Sequence, residues 1–338
     1  MRIAVVGGGP AGSAAATLLA KRDHRVTLYE RYERPRERVC GEFISAEALP
    51  VLDAMGVGPC GWPIRTARVY GKGGRELEAP LPRPGSFGME RAELDPMLRA
   101  ASVRAGVELR VQEVQAICAG AVDGEAFDSV IDATGRFPLS RGAGARLAGF
   151  GYRAAFDGGV PADRVELHLF PGGYAGLSGV GHGRANVCML APRDLAKKHG
   201  GDLDATFEAV RASSVSLRDH LGSAPRVSAW VSTGFPRTRF AGCHRDGIWY
   251  VGDSAGTVAP LGGEGIAMAL RGGAILAAMF ERGPVAYERA WRAEFGARMR
   301  WCRALSALAV RPRAAAMGLA VLGRFPGLFR RVVAATRG

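Results

Sequence analysis

Apolar residues at positions 3–6 form a short run of the β type, which a glycine cluster, Gly7-Gly8-Gly9-Pro10-Ala11-Gly12, ends at once. Small side chains and leucines then fill 13–20, a stretch suited to a helix, and a second apolar run at 26–29 stops at Glu30. Strand, turn, helix and strand within about 30 residues is the size of a βαβ crossover, whose two strands lie side by side and parallel. An Arg- and Pro-rich loop follows from 31, with a helix predicted over 45–55. Runs at 66–70 and 76–79 flank Gly71-Lys72-Gly73-Gly74, a hairpin signal. Leu94, Leu98 and Ala101 share one stripe of a helix predicted over 91–105. Further strands are predicted at 107–111 and at 129–133, just before Thr134-Gly135.

The middle of the chain changes period. Short β-type runs at 165–170, 175–180 and 186–190, separated by Gly-rich turns, predict an antiparallel sheet. Leu203, Phe207 and Val210 fall on one helical face behind Asp202, a suitable N-cap, and 226–231 is predicted to rejoin the sheet. A buried strand at 248–251 then runs into Gly252-Asp253, and a long apolar helix spans 266–280.

Composition narrows the class. A chain of 338 residues, 48% hydrophobic and 23% charged, has room for about two domains and fits neither a disordered tail nor a coiled coil. No apolar run reaches the roughly 20 residues of a membrane span, and the first residues, MRIAVVGGGP, lack a secretory pattern. The expectation is therefore a cytoplasmic protein with free thiols at Cys40, Cys60, Cys118, Cys188, Cys243 and Cys302. Neither the cysteines nor the histidines show ligand spacing, so no metal is expected. The net charge of +13 is concentrated: after Glu294 there are nine arginines and no acidic residue. A basic surface confined to one end is poor support for nucleic-acid binding, and none is expected. Mixed with leucines and phenylalanines, those arginines suit either a packed helix pair with a basic outer face, the preferred reading, or peripheral contact with anionic lipid.

Two segments carry chemistry. In Gly7-x-Gly9-x-x-Gly12, the first glycine permits the tight turn, the second lets backbone approach a pyrophosphate, and the third lets helix pack on strand. The helix start at Pro10 and Ala11 offers free N–H groups to phosphate, and Glu30, 18 residues past Gly12, can accept both hydroxyls of an adenosine ribose. In the second segment, a strand ending at Gly252-Asp253 can present a carboxylate to a ribityl hydroxyl. Past Pro260 and Gly263, a helix opening at Gly265-Ile266 can aim its N-terminus at a flavin ring, where negative charge gathers on reduction.

Together the two segments resemble the FAD-binding flavoproteins of the para-hydroxybenzoate hydroxylase type, and the chain is most similar to their geranylgeranyl reductase branch. Arg91-Ala92-Glu93-Leu94-Asp95 resembles the family's helix start, whose arginine lies by the FAD. Val130–Arg136 is similar to its strand-to-Ala-Thr-Gly turn, which contains Gly135. Arg38-Val39-Cys40-Gly41-Glu42 resembles the reductase branch's Cys-Gly segment beside the isoalloxazine. The resemblance implies a Rossmann-like FAD-binding domain of the glutathione-reductase type (1–65, 88–150 and 240–290), interrupted by an antiparallel-sheet substrate domain (66–87 and 151–239) and closed by a basic helical cap (291–338). It adds Arg31, Cys40, Gly41 and Arg91 to the FAD contacts.

The same resemblance implies an FAD-dependent oxidoreductase acting on a hydrophobic small molecule. NAD(P)H would be bound only transiently, or a separate reductase would supply electrons, because the chain has no second strand–GxGxxG–helix unit. Cys40 is a candidate proton donor, its thiol predicted to be acidified by Arg38, and Tyr174 is a candidate for holding a substrate oxygen. The reductase branch's Tyr-x-Trp-x-Phe-Pro segment is kept here only as Tyr174, with Gly176, Ser178 and Gly179 in place of the larger residues. Losing those rings predicts an opened pocket, and with it hydroxylation of an aromatic or polyketide-like ring through a flavin C4a-hydroperoxide. Reduction of a C=C bond by hydride from flavin N5 is the alternative, and a flavin-binding module without turnover is a third reading. The missing tryptophans also disfavour halogenation.

Overall fold

The computed structural model describes residues 1–337 except 59, 72–73, 142–146 and 237–238. The hairpin signal at 71–74 therefore lies partly outside the described residues. In chain order, the first elements are β1 (Arg2–Val6), α1 (Pro10–Ala20), β2 (Arg25–Glu30), β3 (Thr66–Tyr70), β4 (Glu76–Pro80), α2 (Arg91–Arg104), β5 (Glu108–Val111) and β6 (Ser129–Asp132). The middle of the chain contributes β7 (Leu147–Asp157), β8 (Arg164–Phe170), β9 (Gly173–Gly181), β10 (Arg184–Ala191), α3 (Leu203–Ser213), α4 (Val215–Leu221) and β11 (Val231–Pro236). The last stretch contains β12 (His244–Arg245), β13 (Ile248–Tyr250), α5 (Gly265–Met279), α6 (Pro284–Ala309), α7 (Pro312–Arg324) and α8 (Pro326–Ala335).

The first sheet has the order β12-β13-β6-β1-β2-β5, parallel throughout except for the β12 edge. Its central strand, β1, has Ile3, Ala4, Val5 and Val6 buried, as expected of a parallel strand covered on both faces. Helix α1 packs on this sheet and against α5. That approach is close: a Cβ on Gly273 would stand 2.7 Å from the Ala11 carbonyl oxygen. The architecture is thus a Rossmann-like α/β unit with its crossovers where the hydrophobic pattern puts them.

The second sheet runs β11-β7-β10-β9-β8-β3-β4. Its pairings are antiparallel with one exception, β8 on β3, which are parallel because the chain enters the 66–80 hairpin from the first unit. Alternation along the strands separates two faces. One face, including Tyr152, Phe156, Leu177 and Met189, packs on Phe207, Val210, Leu217 and Leu221 of α3 and α4. The other carries Arg153, Tyr174, Ser178 and Asn186.

Asp202 caps α3 as expected, accepting from the N–H groups of Asp204 and Ala205 at 2.9 and 3.1 Å. Two expectations need correction. Residues 226–231 make only one bridge, Arg226 to Phe156, and the returning strand begins at Val231. The helix expected over 45–55 is a single 3-10 turn and then Leu49–Ala54, because Pro50 suits only the first turn of a helix.

The basic C-terminal segment is helical. Tyr287, Trp291 and Phe295 of α6 enter the core of the first unit. The chain then turns by 114° into α7, and Pro312 and Pro326 each occupy a helix start, where a missing N–H costs nothing. Phe329 and Val333 of α8 pack on Phe43, Ile64, Ala79 and Leu81, which brings the segment against the joint between the two sheets. Among the described residues no single helix is long and apolar enough to cross a membrane.

Candidate functional site

Three parallel strands, β1, β6 and β13, end at the same edge of the first sheet, and their turns are interlocked. Gly7 adopts φ +114°, and a Cβ there would stand 2.5 Å from the Ala133 oxygen. A Cβ on Gly12 would stand 1.9 Å from the Gly7 oxygen, so only glycine lets α1 start this close to β1. Gly9, the N-cap of α1, differs: its only neighbour is the Arg91 guanidinium, 3.7 Å from the Cβ position. No acidic side chain occupies the first turn of α1. Gly9, Pro10 and Ala11 thus form an open, positively polarised cradle beside a fixed arginine. Asp95 holds that arginine through two bonds of 2.7 Å. Glu30 is buried at the end of β2, accepting from Gly8 N–H at 3.1 Å and Tyr32 N–H at 3.1 Å. Arg31 lies outside this ring of contacts, pairing with Glu113 at 3.7 Å and stacking on Tyr32.

The Gly252-Asp253 turn closes on the same place. Gly252 sits at φ +65°, with its Cβ position 2.7 Å from the Ala11 Cβ. The Gly135 N–H donates to Ser254 Oγ at 3.0 Å, and Arg136 bonds Asp253 at 3.3 Å and the Val39 carbonyl at 3.0 Å. Gly9, Glu30, Arg91 and Asp253 therefore converge on one elongated edge. Pro260 opens a 3-10 turn, Gly263 takes a left-handed φ of +68° against Phe43, and α5 starts at Gly265 with Ile266 buried. These residues fit an FAD: room at Gly9, a clamped arginine for the pyrophosphate, a ribose carboxylate and a second helix N-terminus are all present. A cavity of about 470 Å³ is lined by Arg136, the partner of Asp253, and by Arg141, Arg239, Arg245 and Asp246 among others.

The Cys40-Gly41-Glu42 segment spans the joint between the units. The second sheet holds it residue by residue: Asn186 Nδ2 donates to the Cys40 carbonyl at 3.0 Å, Ser178 Oγ to the Gly41 carbonyl at 3.2 Å, and Arg153 Nη2 to Glu42 Oε2 at 2.9 Å. Glu42 Oε1 accepts from the Arg91 N–H at 3.0 Å. Glu42 is buried and stands at φ +55°, a conformation non-glycine residues keep only when their surroundings impose it. Burial pushes its carboxyl up to about 7, against the opposing pull of Arg153.

Cys40 departs from expectation. Burial raises its thiol, outweighing Arg91 and Arg136, and Arg38 turns away toward Asp95 at 3.9 Å. Cys40 is thus held as a protonated thiol.

Tyr174 is buried on the same face of the sheet, near Cys188 and Cys302, and burial pushes its phenol well above the usual range. Its hydroxyl has no hydrogen-bond partner among the described residues. At the first position from which an opened pocket was expected, a Cβ on Gly176 would meet nothing nearer than 3.5 Å. Gly179 faces the other side of the sheet, its Cβ position 2.5 Å from the Trp62 ring and 2.7 Å from Val160. Ser178 is occupied in holding Gly41. His182 is an exposed turn residue at φ +53°, paired with Glu93 at 3.0 Å.

Sequence reasoning missed Glu42, Arg153 and Glu264. Glu264 is fully buried as N-cap of α5, taking Arg337 at 2.6 Å on one oxygen and Arg298 at 3.3 Å on the other. Arg153, set in the otherwise apolar Gly151-Tyr152-Arg153-Ala154-Ala155-Phe156, was the available signal for a buried charge pair.

Comparison with known proteins agrees with this geometry. Residues 5–41 match the family model of the NAD(P)-binding Rossmann-like domain. The chain is 29% identical to a menaquinone reductase of Mycolicibacterium smegmatis over 331 residues, covering 86% of this chain and 78% of the relative. It superposes on a flavin-dependent brominase with TM-score 0.82 at 19% identity, covering 99% and 93% of the two chains. A probable FAD-dependent monooxygenase from Pseudomonas aeruginosa gives TM-score 0.73 at 20% identity over 94% and 99%. The chain has the fold of FAD-dependent oxidoreductases, an enzyme fold.

Proposed function

We propose that the protein is an FAD-dependent oxidoreductase that reduces a C=C bond of a hydrophobic, isoprenoid-like small molecule, as a member of the geranylgeranyl reductase branch. The observation that carries this reading is the clamped Cys40-Gly41-Glu42 segment, which holds a protonated thiol and a buried carboxyl where the two sheets meet. Saturating a C=C bond takes a hydride on one carbon and a proton on the other. Reduced FAD, when bound, supplies the hydride. Gly9, Arg91 and Glu30 would hold the dinucleotide, Asp253 the ribityl chain, and the start of α5 would stabilise negative charge at the flavin ring. Cys40 gives up its thiol proton, and the Glu42 backbone N–H, 3.4 Å from the sulfur, steadies the thiolate left behind. Tyr174, buried on the face toward the joint, helps to exclude water from it. Electrons come from NAD(P)H or a separate reductase; the arginine-lined cavity at Arg136 suits a phosphate-bearing donor.

The likeness to a menaquinone reductase over 86% of the chain supports this order of readings. Hydroxylation is the second reading, favoured by the room left at Gly176. The outer face of the C-terminal helices exposes Trp301, Met317 and Phe325 by 50, 68 and 58% among arginines, which suits peripheral attachment to anionic lipid and access to a membrane-borne substrate.

The deciding experiment is turnover of the purified flavoprotein with a polyprenyl quinone and a chemical reductant under strict anaerobiosis. The expected result is a product still two hydrogens heavier after the quinone ring has been reoxidised in air, so that the gain lies in the isoprenoid chain. Oxygen consumption coupled to a hydroxylated product, with no anaerobic turnover, would overturn the reductase reading in favour of the second.

A further inference from the structure

On the face of the second sheet turned away from the flavin edge, three donor side chains meet between β8 and α4. Glu166 and His168 are two apart on β8 and so share a face, and both are fully buried. His220 comes down from α4. Glu166 Oε2, His168 Nε2 and His220 Nδ1 all lie within 4.8 Å of one another. Glu166 Oε2 is 3.2 Å from His168 Nε2 and 2.6 Å from His220 Nδ1. The histidine contacts differ in kind. His168 makes a hydrogen bond, whereas His220 Nδ1 is buried without an aligned hydrogen-bond partner despite its proximity.

The remaining polar atoms of the cluster are assigned elsewhere. Glu166 Oε1 is taken by Arg164 at 2.6 Å, which leaves Oε2 free to turn inward. His168 Nδ1 is 3.0 Å from Ser216 Oγ and 3.4 Å from Ser214 Oγ. A hydroxyl on one ring nitrogen is the arrangement that fixes tautomer and orientation in a metal-bound histidine, leaving the other nitrogen's lone pair for the ion. Tyr70 stacks on the His168 ring at 4.8 Å and further limits its rotation. Ligands bound at about 2.0–2.2 Å around one tetrahedral ion stand roughly 3.3 Å apart, a spacing these three atoms reach by side-chain adjustment alone.

We propose that Glu166, His168 and His220 form a site for a divalent transition-metal cation of the zinc class, which fastens α4 to β8. Two imidazoles and one carboxylate are a donor set suited to zinc and its late first-row neighbours rather than to calcium or magnesium. The partly exposed side of His220 leaves the fourth position to water. The site stabilises the cover of the second sheet and takes no part in the flavin chemistry on the opposite face.

The test uses full-length flavin-loaded protein stripped with a chelator and then titrated with Co²⁺ and Zn²⁺. One equivalent of Co²⁺ should give a visible d–d spectrum without the intense charge-transfer bands of thiolate ligation, which sets this site apart from the six cysteines. Zn²⁺ should displace it and raise the unfolding temperature. His220→Gln should weaken Co²⁺ binding at least about tenfold while leaving the flavin spectrum intact, and His168→Gln should do the same. The proposal fails if a tenfold excess of either metal leaves spectrum and unfolding temperature unchanged, or if His220→Gln binds as tightly as the parent. Flavin retention is read in the same samples, so failure of this site is distinguishable from failure of the oxidoreductase reading.

Discussion

Arg153 and Glu42 meet at 2.9 Å across the joint between the two sheets, both buried, one from a strand of the second sheet and the other from the loop that follows β2. Arg153 also touches Asn186 and Glu37, so one arginine organises three residues from two other segments.

A stability difference with a definite pH sign follows from this pair. Glu42 is raised from 4.5 to about 7 in the folded protein. The folded state therefore holds its proton longer than the unfolded chain. Stability from this group is fully present below about 4.5 and is lost as pH rises through about 7, an effect of at most about 3 kcal/mol. Glu42→Gln should remove that component, so its denaturant midpoint should fall less than the parent's between pH 5 and pH 8. Equal slopes for the two proteins would mean that Glu42 is ionised throughout.

Gly12 and Gly9 should respond oppositely to alanine. At Gly12 the added carbon would stand 1.9 Å from a backbone oxygen that cannot move without displacing β1, so Gly12→Ala should fail to fold or lose several kcal/mol. At Gly9 the added carbon meets only a side-chain nitrogen at 3.7 Å, so Gly9→Ala should fold normally yet lose FAD affinity, because it narrows the approach to the pyrophosphate. Circular dichroism melts and flavin titration separate the two effects. Normal FAD binding by a folded Gly9→Ala protein would move the phosphates elsewhere.

The crossover, the glycine turn, Glu30 and Asp253 were legible because each rests on local geometry: a period, a tight turn, a strand end; Arg91 came from the family resemblance alone. The joint was not. Glu42 gains its burial from Arg153, 111 residues away, and its left-handed backbone is set by that contact. Arg38 stands two residues from Cys40 but points to Asp95, so nearness in sequence gave the wrong partner for the thiol. Glu166 and His168 are two apart on one strand, yet their third neighbour, His220, comes from a helix 52 residues on.

Cys40→Ala tests the proton route. Removing a thiol that delivers a proton should lower alkene saturation by about 10²-fold or more, while leaving the rate of flavin reduction by the electron donor unchanged. Stopped-flow bleaching of the flavin measures one step and product formation the other. If both rates stay at the parent's value, Cys40 is only a packed side chain, and Glu42 becomes the group to remove next.

The outer face of α7 and α8 should bind anionic vesicles and ignore neutral ones. Leu319, Phe329 and Val333 are buried against the body of the protein, while Met317, Val321, Phe325 and Leu328 face outward between Arg313, Arg324, Arg330 and Arg331. Each arginine near an anionic surface contributes about 1 kcal/mol, and the apolar side chains add area that salt does not screen. Arg330→Glu with Arg331→Glu should weaken binding to phosphatidylglycerol vesicles at least about tenfold, and Phe325→Ser should weaken the fraction that survives high salt. Co-sedimentation at two ionic strengths separates these contributions. Equal binding to neutral and anionic vesicles would show that charge plays no part, and no binding to either would leave the exposed face without a lipid role.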